Sequence, residues 1–193
     1  MNKALDIIPE CFVDTNLVGW LLGKGVNHQH GCNNVTAVMQ NAKLKDAFAI
    51  GIVDDDKRKS KYVDVFERVA ATNHLEIRKH PDKPHFLIFV KKAAEDFINS
   101  AANEIGYDLA CNNLSNDLEE LKKTTKTCQS NEDKNLRKAF AALGNSSEVK
   151  IFKNILKYLE GHKYDAEVNV IKNIFADADF YIWNLPHENE GAK

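Results

Sequence analysis

The stretch from Ala47 to Lys57 reads A-F-A-I-G-I-V-D-D-D-K. Seven residues of unbroken apolar character, Ala47 to Val53, stop at three consecutive aspartates. An apolar run without alternation fits a strand covered on both faces, as in the middle of a parallel sheet. In open α/β sheets ligands bind at the C-terminal ends of such strands, which is where Asp54, Asp55 and Asp56 would lie. Successive strand residues point to opposite faces, so Asp54 and Asp56 are expected to point together and Asp55 away. Two carboxylates about 6 to 7 Å apart along one strand face suit a hard divalent cation shared with waters and a phosphate. The plain alternative is an acidic turn that closes a strand.

Outward from this run, Leu5 to Pro9 forms a short apolar strand ended by Glu10. Asp14 stands where a helix N-cap is needed, and Leu17, Val18, Leu21 and Leu22 follow on one helical face before Gly23 and Gly25. Val35, Val38 and Met39 recur at helical spacing, and Val63, Phe66, Val69 and Ala70 predict a further amphipathic helix. His85 to Val90 reads as a strand, and Ala93 to Ile105 as a helix stopped by Gly106. Strands alternating with helices predict an α/β domain over residues 1–108, its parallel sheet carrying helices on both faces.

Residues 109–193 change character and predict a C-terminal helical extension packed on that domain. Asn116 with Glu119 reads as a capping box. Glu132 and Asp133 open a helix through Leu143, closed by Gly144 and Asn145. Ser146 and Ser147 open another that ends at Gly161, a third runs from Asp165 or Ala166 to Phe175, and Phe180 to Trp183 is a candidate strand.

The chain of 193 residues is 44% hydrophobic and 28% charged, enough for a sizeable core and too apolar for a disordered class. Its net charge of -2 requires any anionic partner to be met by a local basic surface. Cys11, Cys32, Cys111 and Cys128 are spaced too widely for a CxxC pair and are expected to be reduced thiols. No apolar run approaches the roughly 18 residues that span a bilayer, and the opening residues carry no signal-peptide pattern. Both observations predict a soluble cytoplasmic protein without a membrane partner.

Glu10, then Asp14, then a helix, a G-x-N-N-V turn at Gly31 to Val35 and a strand ending in D-x-D together resemble the Toprim domain. That domain is the metal-binding catalytic module of topoisomerases, primases and OLD-type nucleases. The likeness covers roughly residues 5–98, with Cys11 standing where the family usually has glycine. The resemblance implies a catalytic set of Glu10, Asp14, Asp54 and Asp56. Of these, Glu10, Asp54 and Asp56 would hold Mg²⁺ or Mn²⁺. It also points to Glu95 and Asp96 as candidate carboxylates for a second ion.

Without a metal, carboxylates sharing so small a volume raise one another's pKa. Lys57, Arg58, Lys59 and Lys61, directly after the aspartates, are candidates for holding a nucleic-acid backbone, or they form an ordinary solvated face. Lys43, Lys45, Arg78, Lys79, Lys91 and Lys92 add to the same basic set. His28 and His30 form an H-x-H pair that suits either two metal ligands or a loop. Cys11 reads as a packing residue. No Walker loop, GxGxxG fingerprint or nucleophile elbow is present.

A topoisomerase would need a gate, for which residues 109–193 are too few, and a primase would need a zinc module that no cysteine spacing supplies. The resemblance therefore implies a small Mg²⁺-dependent nuclease or related phosphoryl-transfer enzyme acting on nucleic acid, working with a partner ATPase as OLD-like systems do. The alternatives are a catalytically silent Toprim-like module that binds nucleic acid or a partner protein, and an unrelated doubly wound domain whose acidic edge binds Mg²⁺ for another purpose.

Overall fold

The computed structural model describes residues 3–41, 43–55 and 60–181. Its core is a five-stranded mixed sheet. β2 (Ile7–Pro9), β4 (Ala49–Asp54) and β7 (His85–Val90) run parallel, and the hairpin of β5 (Glu67–Ala71) and β6 (Leu75–Lys79) adds antiparallel on the β7 side. On the other side, β1 (Lys3–Ala4) pairs with β3 (Gly25–Val26). From there the chain continues along β2, because the amides of Asn27 and Gln29 donate to the carbonyls of Ile7 and Pro9. The unalternating run is the central strand that its pattern predicts. Ile50, Ile52 and Phe86 bury in one core, and Ala49, Val53 and Leu87 in the other.

One face carries α2 (Cys32–Gln40), whose Val35 and Met39 cover the smaller core. Gly51 makes this fit, since a Cβ there would lie 2.7 Å from Leu87 Cδ2 and 2.9 Å from both Met39 Sδ and Val35 Cγ1. The opposite face carries α1 (Phe12–Leu22) and α3 (Ala94–Ile105). Over these lie α4 (Leu118–Lys126), α5 (Lys134–Leu143) and α6 (Ser147–His162), while α7 (Val168–Ala176) packs on β5 and α6. A single cluster of buried side chains runs from Ile50 and Phe86 through Leu17 and Phe97 to Phe140, Phe152 and Ile171. Because α1 is packed between the sheet and α5 and α6, even Asp14, Thr15 and Asn16 are buried. Asn16 is satisfied by the carbonyls of Phe12 (2.8 Å) and Ser130 (2.7 Å) and by the amide of Asp133 (2.7 Å). It thereby ties α1 to the connector between α4 and α5.

The helix expected over Val63 to Ala70 is instead a single 3-10 turn, Val63–Val65, followed by β5. Its apparent helical spacing joins two environments. Val63 and Phe66 bury beside α2, whereas Val69 and Ala70 pack on the other face of the sheet from a strand paired to β6. Val63 of the turn is followed by a ladder whose register shifts between Arg68 and Ala70, and that irregularity blurs the period of two.

Smaller corrections concern helix ends. Asp14 is not the N-cap of α1, since Cys11 takes that place, and Asp117 rather than Asn116 caps α4 through its bond to the Glu120 amide. Glu132 stands outside α5, which Asp133 caps, and the last helix starts at Val168. The first strand breaks at Leu5 and Asp6. Phe180 and Tyr181 are helical, against a strand there, while Ile182 and Trp183 lie outside the described residues. All four cysteines are free, and among the described residues no helix is long and apolar enough to cross a membrane.

Candidate functional site

β2 and β4 are parallel neighbours, so Glu10 and Asp54 emerge at the same sheet edge. Register alone brings them together, with Pro9 opposite Ile52, and the Asp54 amide donates to Glu10 Oε2 at 3.0 Å. Asp54 shares the strand face of Ile50 and Ile52, which is the face covered by α1 and α3. Both helices begin at this edge. Asp14 comes from the first turn of α1 and Glu95 from the first turn of α3. Four carboxylates from four elements thus meet where two helix N-termini offset part of their charge.

Each is held differently. Cys11 adopts an extended backbone (φ -131°, ψ 173°), so the turn needs no glycine here. Its sulfur accepts the Asp14 amide at 3.4 Å while the thiol donates to Asp14 Oδ2 at 3.0 Å. This reciprocal cap fixes the start of α1. Burial raises the Cys11 thiol far above its ordinary pKa, and the Asp14 charge adds to the rise. It is therefore a thiol donor and no nucleophile.

Glu95 is anchored by the Thr125 hydroxyl of α4, which donates to its Oε1. Asp54 receives the Ala94 amide at the start of α3, placed there by a turn in which Lys92 takes a left-handed φ of 68°.

Asp14 is 1% exposed. Among the described residues its Oδ1 and the Oδ1 of Asp54 are buried without a hydrogen-bond partner. Burial raises Asp54 above the ordinary carboxylate range, and the charges of Asp14, Glu10 and Glu95 raise it further. Asp14 is raised for the same reasons, chiefly burial, against the lowering effect of its bonds from Cys11. Such a set favours either protons or a cation.

Of the four, Asp54 and Glu95 open into a cavity of about 330 Å³, which they line with Phe12 on one side and which Lys122, Thr125 and Lys126 of α4 line on another. The residues present fit a cation in charge, hardness and orphaned oxygens. However, among the described residues no group of three or more His, Cys, Asp or Glu is gathered to hold a metal ion. Repulsion among the charged carboxylates favours keeping them apart, and a cation would draw them inward.

The other expected residues divide clearly. Asp56, Lys57, Arg58 and Lys59 lie outside the described residues, and Lys61 is exposed. Asp96 does not line the cavity and pairs with Lys122, 3.5 Å away. Arg78 pairs with Glu76 at 2.6 Å and covers the Phe89 ring. His28 donates from Nδ1 to Thr15 Oγ1 at 2.7 Å, because that hydroxyl gives its own proton to the Cys11 carbonyl, and its ring stacks on Phe12. The H-x-H pair therefore braces the start of α1.

Sequence reasoning missed Thr125, Lys122 and Lys126, which are distant in the chain and carry no motif. It also missed Tyr62, whose hydroxyl donates to His85 Nδ1 at 2.6 Å while His85 Nε2 donates to the Leu44 carbonyl at 2.8 Å. A buried histidine at the head of an apolar strand is the signal that points to this relay, which fixes the chain just after the acidic segment. Compared with protein-family models, curated proteins and solved structures, the chain matches none.

Proposed function

We propose that the pocket at the ends of β2 and β4 binds Mg²⁺ or Mn²⁺ and carries out metal-dependent phosphoryl transfer on nucleic acid, most simply phosphodiester hydrolysis, within a Toprim-like domain. The observation that carries this reading is the pair of buried, unpartnered oxygens, Asp14 Oδ1 and Asp54 Oδ1, in a cluster whose carboxylates raise one another. A buried acid cluster with orphaned oxygens is costly in a purely structural role.

Glu10, Asp54 and Asp14 are the residues that would hold the cation, with Glu95 beside them. The cation supplies neutralisation of charge that develops on a phosphate during transfer. Glu10, steadied by the Asp54 amide, would serve as a cation ligand or as the base that takes a proton from the attacking group. The Cys11 thiol and the Thr125 hydroxyl fix the orientations of Asp14 and Glu95, which limits the rearrangement to the inward shift that a cation would cause.

A second reading is a catalytically silent module that binds nucleic acid or a partner protein, favoured by the raised Asp54 and Asp14, which protons can neutralise without a cation. Partner ATPase action stays part of the proposal only through the Toprim resemblance.

Calorimetric titration with Mn²⁺ and Mg²⁺ on wild type, Glu10→Gln and Asp54→Asn, followed by incubation with plasmid and single-stranded nucleic acid, separates the two. The enzyme reading expects cation binding lost in both variants and nicking in wild type alone. Binding without nicking moves the protein to the silent module, and no cation binding ends the metal reading.

A further inference from the structure

The acid pocket has one cationic wall, and it comes from the helical half of the chain. Lys122 and Lys126 stand four residues apart on one face of α4 with Thr125 beside them, and all three line the cavity that Asp54 and Glu95 also line. Thr125 hydrogen-bonds Glu95, so this face of α4 is fixed against the acids rather than swinging free. Lys122 lies 3.5 Å from Asp96 Oδ2 and 3.3 Å from Glu119 Oε1, which hold its chain in place. Lys126 makes no ion pair among the described residues, although two carboxylates line the same cavity.

An exposed ammonium that lines an acidic cavity without joining a carboxylate is placed to meet a second anion. The carboxylates that line the cavity, Asp54 and Glu95, repel a phosphodiester when they are charged. A cation on the floor removes part of that repulsion, and ammonium groups on the wall remove more.

We propose that Lys122 and Lys126 form the phosphate-binding wall of this pocket and hold the phosphodiester of a nucleic-acid strand against Asp54 and Glu95. This inference rests on the cation-dependent reading above. It gives α4 the substrate-anchoring task that the sequence assigns to the lysines after Asp56. The helical half is then part of the site.

The test is the affinity of a labelled single-stranded oligonucleotide for the full chain in Mn²⁺ at several salt concentrations, measured by anisotropy. Wild type is compared with Lys122→Gln, Lys126→Gln and Lys126→Arg. Each Gln variant is expected to weaken binding about threefold to tenfold and to reduce the slope of log affinity against log salt by about 0.7, the value for one phosphate contact on a single strand. Lys126→Arg is expected to retain both.

Because Lys122→Gln also loses its pairs with Asp96 and Glu119, the exposed Lys126 decides. Oligonucleotide affinity and salt slope unchanged in Lys126→Gln, with Mn²⁺ binding intact, overturn the wall and leave the cation reading standing. Wild type that binds no Mn²⁺ overturns both. Binding of inorganic phosphate to the Mn²⁺-loaded protein by calorimetry, together with no oligonucleotide binding, overturns the strand as the source of the phosphate.

Discussion

The backbone amide of Asp54 donates to Glu10 Oε2 at 3.0 Å across 44 positions of chain. This bond joins the ends of two parallel strands and sets the spacing of the acid cluster. It also leaves Asp54 Oδ1 buried and unpartnered, beside Asp14 and Glu95.

The first consequence is a pH dependence of unusual sign for carboxylates. Burial, then the neighbouring charges, push Asp54 up to about 9 and Asp14 up to about 7, both from an ordinary carboxyl value of 3.8. A carboxyl raised in the fold binds its proton more tightly there than in the unfolded chain. Its stabilising contribution is complete below about pH 3.8 and is lost as pH rises through 7 and then 9. The metal-free protein is therefore expected to lose Tm progressively between about pH 5 and pH 9. Asp54→Asn is expected to flatten this fall and to raise Tm at pH 8.5, by roughly 2 to 4 °C for each kcal/mol recovered in a chain of this size. Added Mn²⁺ should raise wild-type Tm more at pH 8 than at pH 6 and leave Asp54→Asn unmoved. Scanning calorimetry at these pH values checks it, and a wild-type Tm that is flat from pH 5 to 9 would refute the mutual-repulsion account.

Cys11 yields a second prediction, because its sulfur caps α1 and its proton satisfies Asp14. Cys11→Ser keeps both bonds and is expected to leave stability within about 0.5 kcal/mol of wild type. Cys11→Ala removes the cap and is expected to cost about 1 kcal/mol, since a lost N-cap commonly costs 0.5 to 2. Urea denaturation of the three proteins decides, and equal midpoints for Ala and wild type would show that the cap is idle.

How far the sequence carries is visible in these same residues. The unalternating run that ends in Asp54 was readable as a buried central strand, and Glu10 and Asp14 as residues near its edge. Apolar periodicity reports how many faces a segment buries, and β4 buries two. The same signal misled at Val63 to Ala70, where a turn and a strand on different faces add up to a helical count. Thr125, Lys122 and Lys126 were invisible because nothing local marks them. Their role follows from α4 docking on α3, a tertiary contact between segments about 30 residues apart. Cys11 as a cap was hidden by its chemistry, since a thiol is a weak partner that propensities rank low.

Gly51 offers a test of how tightly the small face is packed. A Cβ at this position would meet Leu87, Met39 and Val35 at distances under 3.0 Å. All three are fully buried. Gly51→Ala is expected to destabilise by about 1 to 3 kcal/mol through overpacking, without touching the acid cluster directly. Unfolding midpoints in urea measure it. Combining Gly51→Ala with Met39→Ala should destabilise by less than the sum of the single changes if the two sites share one space, and strict additivity would argue that they do not.

The join between the two helical layers turns on Glu104, which stands near the C-terminal end of α3 and caps α6 from outside. Ser146 precedes α6 but makes no side-chain cap of its own. Instead the Ser147 amide donates to Glu104 Oε1 at 3.0 Å, and the Ser146 hydroxyl donates to Oε2 at 2.6 Å. Burial pushes this carboxyl up, but the Ser146 and Ser147 bonds outweigh it and leave Glu104 below its ordinary value of 4.5. Its contribution is thus present above about pH 4.5 and is lost as pH falls through its lower folded value. Glu104→Ala is expected to cost about 1 kcal/mol at pH 7, as for other lost caps. The difference from wild type should shrink as pH falls and the native carboxyl takes up its proton. Paired urea unfolding curves at pH 7 and pH 3.5 give the answer. A penalty that is the same at both would mean that Glu104 acts through packing, and the charge-assisted cap would have to be abandoned.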